Sequence, residues 1–291
     1  MQVILTGSAG YVGSKVRTAL EAEGVKVIPV DINNPDAPIN LRTLGSLRNL
    51  GISGDYKLIH LAFPLPGKVP SKKFKRFVFE VNTNLLNEIS PLETLLISST
   101  AVYGLDHSVN EYSKISPWEI YGKLKLDTES IFKKKFSNLT IFRPGTLIEA
   151  NREGAMMSFI KLLQNGSFVV TPGKGVLVHP FTHTDDLVEA ITKWALSENT
   201  GFSEYTLTAA EPITLHDISG ITDKKNRMYF SVPKIIFRFI GSDKFPLAGI
   251  SKWHFSALTY DIQLPVNGYS TCKLHTYREI FEEILTTSRI Q

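Results

Sequence analysis

Cysteine is almost missing from the 291-residue chain, which contains only Cys272. A single cysteine excludes a disulfide within the chain and favours a reducing compartment, so we expect the cytoplasm. The chain also lacks any apolar run of about 20 residues, the length that a membrane-spanning helix needs. Its first residues, MQVIL, lack the basic leader and the long apolar segment of a signal peptide. We therefore expect neither export nor a membrane partner.

The chain has little excess charge of either sign. Its 32 Lys and Arg residues against 28 Asp and Glu residues leave a net charge of +4. Proteins that bind nucleic acid concentrate basic residues on one face, and such a small excess does not indicate this. Two basic stretches with interleaved aromatics, residues 71–79 and 132–136, fit solvated helix faces better than a nucleic-acid site. We expect no nucleic-acid partner.

Glycine, in contrast, is concentrated near the start of the chain, in VILTGSAGYVGSK. The apolar run before the first glycine predicts a buried strand, and the apolar residues after it recur at helical spacing up to Gly24, a good helix end. Glycines permit a tight turn, a close approach of N–H groups to phosphate, and close helix–strand packing. This order predicts a site for the pyrophosphate of a dinucleotide. The three glycines are Gly7, Gly10 and Gly13.

The second predicted strand, KVIPV, leads directly into an acidic residue. Asp31 lies 18 residues beyond Gly13 (31 − 13). A carboxylate about 20 residues beyond the glycines holds the adenosine ribose of NAD. No Arg or Lys lies between Asp31 and Asn40 to receive the 2′-phosphate of NADP. NAD is therefore favoured over NADP as the cofactor.

Further apolar runs at residues 57–62, 94–98 and 139–142 alternate with helix-like segments. Strands that alternate with helices predict an α/β fold, here a Rossmann-type, doubly wound parallel sheet. Beyond Arg143 the loops become rich in Gly and Pro, and we expect helices at 155–163, at 181–196 and near the end of the chain.

This change of texture predicts two interleaved units. We expect a dinucleotide-binding domain of residues 1–143 and 181–207. Residues 144–180 and 208–291 are then expected to form a smaller substrate-binding lobe.

The stretch SPWEIYGKLKLDTESIF predicts a helix from Pro117, because Ser116 and Glu119 have capping-box spacing. Tyr121 and Lys125 then lie one turn apart on the same face. A free tyrosine has a pKa of about 10, and a neighbouring ammonium stabilises the phenolate and lowers that pKa. The pair could therefore perform acid–base chemistry. Tyr and Lys at this spacing are also common on ordinary amphipathic helices, so the pair carries little weight alone.

A second candidate element is LLISSTAVYG, residues 95–104, a predicted strand that ends in small hydroxyl residues. Ligands bind at the carboxyl ends of strands in open α/β sheets. A hydroxyl group at that edge can hydrogen-bond a substrate carbonyl or alcohol beside the tyrosine.

With FRPGT and PFTHTDDLVEAI downstream, the order of these motifs resembles the extended short-chain dehydrogenase/reductases. The closest resemblance is to the NAD-dependent epimerase/dehydratase branch, which acts on nucleotide sugars, and it covers nearly the whole chain. It implies that Ser99 is the catalytic hydroxyl, Tyr121 the acid–base and Lys125 its partner. It also implies a homodimer formed through two helices of the main domain. The cofactor contacts that it implies are Thr6, Gly7, Gly10, Tyr11, Val12, Gly13, Asp31, Asn40, Leu41, Leu61, Ala62, Tyr121 and Lys125.

The chain departs from the family pattern at two places. Thr100 and Ala101 stand where dehydratases carry an Asp-Glu pair, so sugar dehydration is disfavoured. His179 stands where an Arg usually grips the nucleotide part of the substrate, and a neutral imidazole lacks the fork of donors that suits a phosphate. The substrate contacts that the resemblance implies are Ser99, Thr100 and His179.

His179 and His183 are four residues apart, but no third ligand for a metal is apparent, so we expect no metal.

We expect an NAD-dependent oxidoreductase or epimerase that transfers hydride at a secondary alcohol or ketone. The resemblance implies C4 of a nucleotide sugar, with a 4-epimerase and a 4-ketoreductase both open. A reductase of a non-nucleotide carbonyl, such as a hydroxysteroid-like or flavonoid-like compound, is the alternative that His179 favours. A cofactor-sensing protein without catalysis is the third reading, and the intact Ser99, Tyr121 and Lys125 argue against it.

Overall fold

The computed structural model describes most of the chain from residue 1 to residue 288. The described residues are 1–48, 50–52, 54–64, 71–104, 115–117, 120–149, 168–172, 180–209, 217, 228–233, 269, 272 and 274–288. Three sequence predictions lie outside them: the helix at 155–163, the capping residue Glu119, and the substrate contact His179.

Most strands and helices in the described part of the first 209 residues alternate, as the sequence predicts. The strands are β1 (Gln2–Thr6), β2 (Lys26–Val30), β3 (Lys57–His60), β4 (Glu93–Ile97), β5 (Leu139–Pro144), β6 (Thr146–Ile148), β7 (Phe168–Pro172), β8 (Phe181–His183), β9 (Phe202–Leu207) and β10 (Met228–Val232). The helices are α1 (Tyr11–Ala22), α2 (Ser71–Glu88), α3 (Ile120–Lys135), α4 (Thr184–Leu196) and α5 (Tyr277–Ser288). A short 3₁₀ turn, Thr100–Tyr103, follows β4.

Six strands form one sheet in the order β2-β1-β3-β4-β5-β9, and every neighbouring pair is parallel. This confirms the doubly wound parallel sheet. The chain winds from β1 to β2 on one side and reaches β3 on the other side. Ligands of such sheets bind in the crevice where the winding reverses, at the carboxyl ends of the strands. Here that crevice lies beyond Thr6 and His60, the last residues of β1 and β3.

Helices cover both faces of the sheet. Alternate residues of a strand point to opposite faces, so the apolar residues of β1 are buried on both sides. Val3 and Leu5 pack in a cluster that includes Trp194 of α4. Ile4 packs on the other face, in a cluster that includes Leu85 of α2 and Phe132 of α3. Both clusters are buried, which explains the nearly continuous apolar runs in the central strands. Within the described residues, no helix has the length and hydropathy needed to cross a membrane.

Smaller parallel pairs lie outside the main sheet. β10 pairs with β7, and β6 pairs with β8. The predicted division of the chain into a dinucleotide-binding domain and a substrate lobe stays a prediction.

The helix predicted in 181–196 is present as α4, which begins at Thr184 and has Asp185 and Asp186 in its first turn. Residues 181–183 form β8, and the His183 side chain caps the helix. The described part of the helix expected from Pro117 begins at Ile120, and residues 115–117 lie outside it. The Ser116 carbonyl oxygen lies 2.1 Å from the position of a Cβ on Gly104, so the chain at Ser116 packs closely against the end of the 3₁₀ turn.

Candidate active site

The three glycines form a tight turn between β1 and α1. Gly7 has φ +75°, and its N–H donates to the carbonyl of Val30 at 2.8 Å. A Cβ on Gly7 would lie 2.9 Å from the Ala62 nitrogen, and a Cβ on Gly13 would lie 2.0 Å from the Gly7 carbonyl oxygen. Gly10 precedes α1 as its N-cap, without a side chain over the first turn. Backbone N–H groups at a helix start suit a pyrophosphate, so these residues fit the predicted dinucleotide.

We expect Gly13→Ala to weaken NADH binding about tenfold or more and to lower the free energy of unfolding by about 1–3 kcal/mol. The added methyl meets backbone atoms of Gly7, which can move only if the whole turn shifts. NADH fluorescence titration and urea unfolding measure the two effects.

Gly24→Ala is the control for Gly13→Ala. Gly24 has φ +73° but no atom within 4 Å of an added Cβ, so this change strains the backbone far from the turn. We expect a loss of about 1–2 kcal/mol in stability with unchanged NADH affinity. Equal losses of affinity in the two variants would contradict the assignment of the turn.

The predicted ribose carboxylate lies at the rim of the glycine turn. Asp31 Oδ2 accepts a hydrogen bond from the Ala9 N–H at 3.1 Å, and its Oδ1 accepts one from the Asn33 N–H at 2.8 Å. Asn40 serves its own turn, because its side-chain oxygen accepts from the Arg42 N–H at 3.0 Å. Leu41, beside it, is buried in the core. The structure therefore places Asp31 at the predicted cofactor turn and gives Asn40 a local contact.

A buried polar chain joins the glycine turn to α3. Thr6 Oγ1 lies 2.7 Å from Nδ1 of His60, and Nε2 of His60 lies 3.0 Å from Oδ1 of Asn82. The Asn82 side-chain amide donates to Thr128 Oγ1 at 3.1 Å. Burial, and then the charge of Lys125, lower the pKa of His60 to about 3, so its ring is neutral at neutral pH. The sequence places His60 in the strand expected along the cofactor, but it does not predict the contacts of His60 with Thr6 and Asn82.

Ser99 stands two residues beyond the end of β4, at the carboxyl edge of the sheet. Its side-chain oxygen accepts a hydrogen bond from the Ala101 N–H at 3.2 Å and thereby caps the 3₁₀ turn. It is also hydrogen-bonded to the side chain of Tyr121. Thr100, the next residue, is buried. The structure thus brings the predicted catalytic hydroxyl and the predicted acid–base into contact.

The ionisation of Tyr121 differs from the sequence expectation. Burial raises its pKa to about 12, and the hydrogen bond with Ser99 opposes that rise. The sequence predicts a lowered pKa, because Lys125 lies one turn away. In the structure the Lys125 ammonium lies 5.9 Å from the centre of the Tyr121 ring. Burial therefore dominates, and the phenol of the chain alone is neutral at neutral pH.

Lys125 points into the protein rather than along the helix surface. Its Nζ donates to the Ile97 carbonyl at 2.8 Å and lies 4.0 Å from the centre of the Phe63 ring. Burial lowers its pKa to about 7, and the carboxylate of Glu129 opposes that shift. Phe63 is the main contact that sequence reasoning missed, since no local pattern relates it to a lysine 62 positions later.

A buried ion pair lies beneath this site. Both nitrogens of one edge of Arg143 donate to the Glu129 carboxylate, with Nε at 2.9 Å from Oε1 and Nη2 at 2.7 Å from Oε2. Ser98 Oγ also donates to Glu129, at 2.5 Å. Arg143 Nη1 donates to the Tyr103 hydroxyl at 3.0 Å. These contacts tie α3 to the ends of β4 and β5, next to Ser99.

A second charged cluster joins the start of α1 to the end of β6. The Tyr11 hydroxyl donates to Glu149, and the Lys15 ammonium donates to the same carboxylate at 2.5 Å. Lys15 also lies 3.3 Å from Asp185 Oδ1. The side chain of the predicted contact Tyr11 is therefore engaged with Glu149, while Val12 packs against the core beside Gly13.

His183 belongs to a cluster with Asp186 and His275 whose ligand atoms lie within 4.8 Å of one another. Nδ1 of His183 accepts from the Asp185 N–H at 3.3 Å, which places the ring proton on Nε2, 3.1 Å from Glu283 Oε2. The backbone N–H of His275 donates a hydrogen bond to Asp186 Oδ2 at 2.9 Å, and the His275 ring is hydrogen-bonded to Asp186 Oδ1. These contacts cap α4 and hold the segment before α5 against it. The expectation of no metal stays a prediction.

Sequence search and structure comparison relate the chain to known proteins. The model of the NAD dependent epimerase/dehydratase family matches residues 3–206. No curated protein matches the sequence. The family match agrees with the resemblance drawn from the motifs and with NAD as the cofactor.

Several solved structures are similar in fold over the whole chain. MoeE5 in complex with UDP-glucose and NAD is 20% identical, with a TM-score of 0.69, 100% of this chain covered and 99% of that chain. UDP-glucose 4-epimerase from Thermotoga maritima is 16% identical, with a TM-score of 0.71 and coverage of 100% and 99%. The human epimerase family protein SDR39U1 with NADPH is 16% identical, with a TM-score of 0.71 and coverage of 100% of both chains. These similarities confirm the Rossmann-like α/β fold.

Proposed function

Because the chain belongs to the NAD dependent epimerase/dehydratase family, we propose that it transfers hydride between NAD and a secondary alcohol or ketone carbon of a nucleotide sugar, at C4 of the sugar. The observation that carries the proposal is the hydrogen bond between Ser99 and Tyr121 at the carboxyl edge of the sheet, with Lys125 one turn away. The nucleotide-sugar part is supported by MoeE5, a protein of similar fold that was solved in complex with NAD and either UDP-glucose or UDP-glucuronic acid.

The residues present fit a dinucleotide. Gly7 and Gly13 let the backbone of the turn pack closely, because a Cβ on Gly7 would meet Ala62 and one on Gly13 would meet the Gly7 carbonyl, and the Asp31 carboxylate lies at the rim of the same turn. In the proposal, the N–H groups at the start of α1 bind the pyrophosphate and Asp31 holds the adenosine ribose. When bound, NAD supplies the hydride acceptor and NADH the hydride donor, at C4 of the nicotinamide.

The side chains of the site supply the proton and the orientation. Tyr121 donates its phenolic proton to the substrate oxygen in the reducing direction, and takes a proton from the alcohol in the oxidising direction. A pKa of about 12 keeps the phenol protonated in the chain alone, which is the form needed for donation. Ser99 fixes the same oxygen by a hydrogen bond. Lys125 holds the nicotinamide ribose, and its protonated form stabilises the phenolate that donation leaves behind.

Dehydration is disfavoured by the residues after Ser99. Thr100 is buried and Ala101 has no acid–base group, so neither can remove an α-proton or protonate a leaving hydroxyl. An epimerase returns the hydride to the carbon it came from, whereas a ketoreductase consumes NADH. Both reactions use the same Ser99, Tyr121 and Lys125.

The proposal is tested by following the near-ultraviolet absorbance band of NADH while the protein is incubated with candidate substrates. We expect either isomerisation of UDP-glucose or UDP-N-acetylglucosamine without net change in NADH, or loss of NADH on addition of a UDP-4-keto sugar. Free UDP should inhibit either reaction. Turnover of a hydroxysteroid-like or flavonoid-like carbonyl that UDP does not inhibit would overturn the nucleotide-sugar assignment. NADH binding without turnover of any carbonyl would favour a cofactor-sensing protein.

A further inference from the structure

Phe63, three residues beyond the end of β3, touches both side chains that we assign to catalysis on α3. The Lys125 Nζ lies 4.0 Å from the centre of its ring. The Tyr121 ring meets it edge-on, with 5.5 Å between the ring centres. Behind it, the buried Phe74 of α2 packs against the same ring, with centres 6.1 Å apart. The phenyl ring therefore lies on top of the lysine and beside the tyrosine.

Phe63 also follows directly on the segment that packs against the glycine turn. The Leu61 N–H donates to the Thr6 carbonyl at 3.2 Å, and the Ala62 nitrogen lies 2.9 Å from the position of a Cβ on Gly7. These contacts join the carboxyl ends of β1 and β3, where the winding of the sheet reverses. A dinucleotide bound at the turn must cross residues 61–63 to bring its nicotinamide to Tyr121.

The ring position limits what Lys125 can bind. An ammonium has three N–H donors, and one of them is given to the Ile97 carbonyl. With 4.0 Å between Nζ and the ring centre, the two groups are in van der Waals contact. A ribose hydroxyl cannot stand between them. The attraction between a poorly solvated ammonium and an aromatic face favours this covered arrangement.

We propose that Phe63 governs the access of the nicotinamide ribose to Lys125, covering the ammonium in the chain alone and rotating away when the cofactor binds. The inference rests on the proposed function, in which Lys125 holds that ribose. The apparent dissociation constant for the cofactor then equals the intrinsic constant divided by the fraction of molecules with the ring turned away. A variant without the ring binds the cofactor without this conformational step.

Stopped-flow fluorescence of NADH with Phe63→Ala tests the proposal. We expect the association rate constant to rise about tenfold, the dissociation rate constant to stay within about twofold, and the dissociation constant to fall about tenfold. Phe63→Leu keeps apolar bulk at the site but removes the aromatic face, and it should shift the association rate in the same direction. If Phe63→Ala does not fold, the association rate constant of Phe63→Leu tests the proposal in its place.

Phe74→Leu is the matched control, because it removes a ring from the same cluster and leaves Phe63 over Lys125. Its NADH rate constants should equal those of the unsubstituted chain. Unchanged rates in the Phe63 variants would show a fixed wall, and faster dissociation would show a ring that stacks on the cofactor; either result overturns the proposal. If the unsubstituted chain binds no NADH, the proposed function itself fails, and the role of Phe63 with it.

Discussion

Tyr121→Phe is expected to lower kcat by about 10²–10⁴-fold while NADH affinity stays within about twofold of the unsubstituted chain. The change removes only the hydroxyl that donates and accepts the proton, and the ring keeps its edge-on contact with Phe63. Steady-state kinetics with the substrate found in the absorbance assay measure kcat, and NADH fluorescence measures binding. The loss should appear equally in kcat and kcat/KM, because the proton is transferred only in the transition state.

Tyr56→Phe is the control for this prediction. Tyr56 lies just before β3, at the amino ends of the strands and thus on the opposite side of the sheet from Ser99. Its hydroxyl accepts a hydrogen bond from the Ser90 N–H at 2.7 Å. Its removal should leave kcat unchanged. If Tyr121→Phe kept more than about a tenth of the kcat of the unsubstituted chain, the proton transfer would have to be assigned to another group.

Arg143→Met is expected to destabilise the chain by about 3–5 kcal/mol, because it leaves the Glu129 carboxylate buried without its cation. The two side chains are only 2% and 1% exposed and share two hydrogen bonds. Their mutual contacts raise the pKa of the guanidinium although burial opposes this. Urea unfolding followed by circular dichroism measures the loss of stability.

Two further variants separate the buried pair from a general effect of losing an arginine. Arg17→Met breaks an exposed pair with Glu21 and should change stability by less than about 0.5 kcal/mol. Adding Glu129→Leu to Arg143→Met removes the orphaned charge, so the double variant should be more stable than Arg143→Met alone. A double variant that is less stable than Arg143→Met would show that the hydrogen bond from Ser98 to Glu129, rather than the charge pair, dominates.

The glycine turn and the central strands were predictable because their signals are local. The interval between glycines, the apolar run before them and the acid after β2 all lie within about 30 residues, and each reflects one backbone or packing requirement. The match between Tyr121 and Ser99 was predictable only through the order of motifs. The structure places the two in contact because β4 ends at the same edge of the sheet at which α3 begins.

The features that sequence reasoning missed depend on contacts between distant residues. Phe63 and Lys125 are 62 positions apart (125 − 63), and no local pattern relates one to the other. Burial reverses the expected shift in the pKa of Tyr121, and burial is a property of the folded chain. The strand at 181–183 is three residues long, so it is defined by its pairing with 146–148 rather than by its own sequence. Such pairings carry no periodic signal.

A crystal structure of the chain grown with NAD shows whether the cofactor lies across the glycine turn and reaches Tyr121. We expect a pyrophosphate at the start of α1, a ribose within hydrogen-bond distance of Asp31, and a nicotinamide whose C4 faces the Tyr121 hydroxyl. A dinucleotide bound away from the glycine turn, or a nicotinamide that lies outside contact with Tyr121, would contradict it.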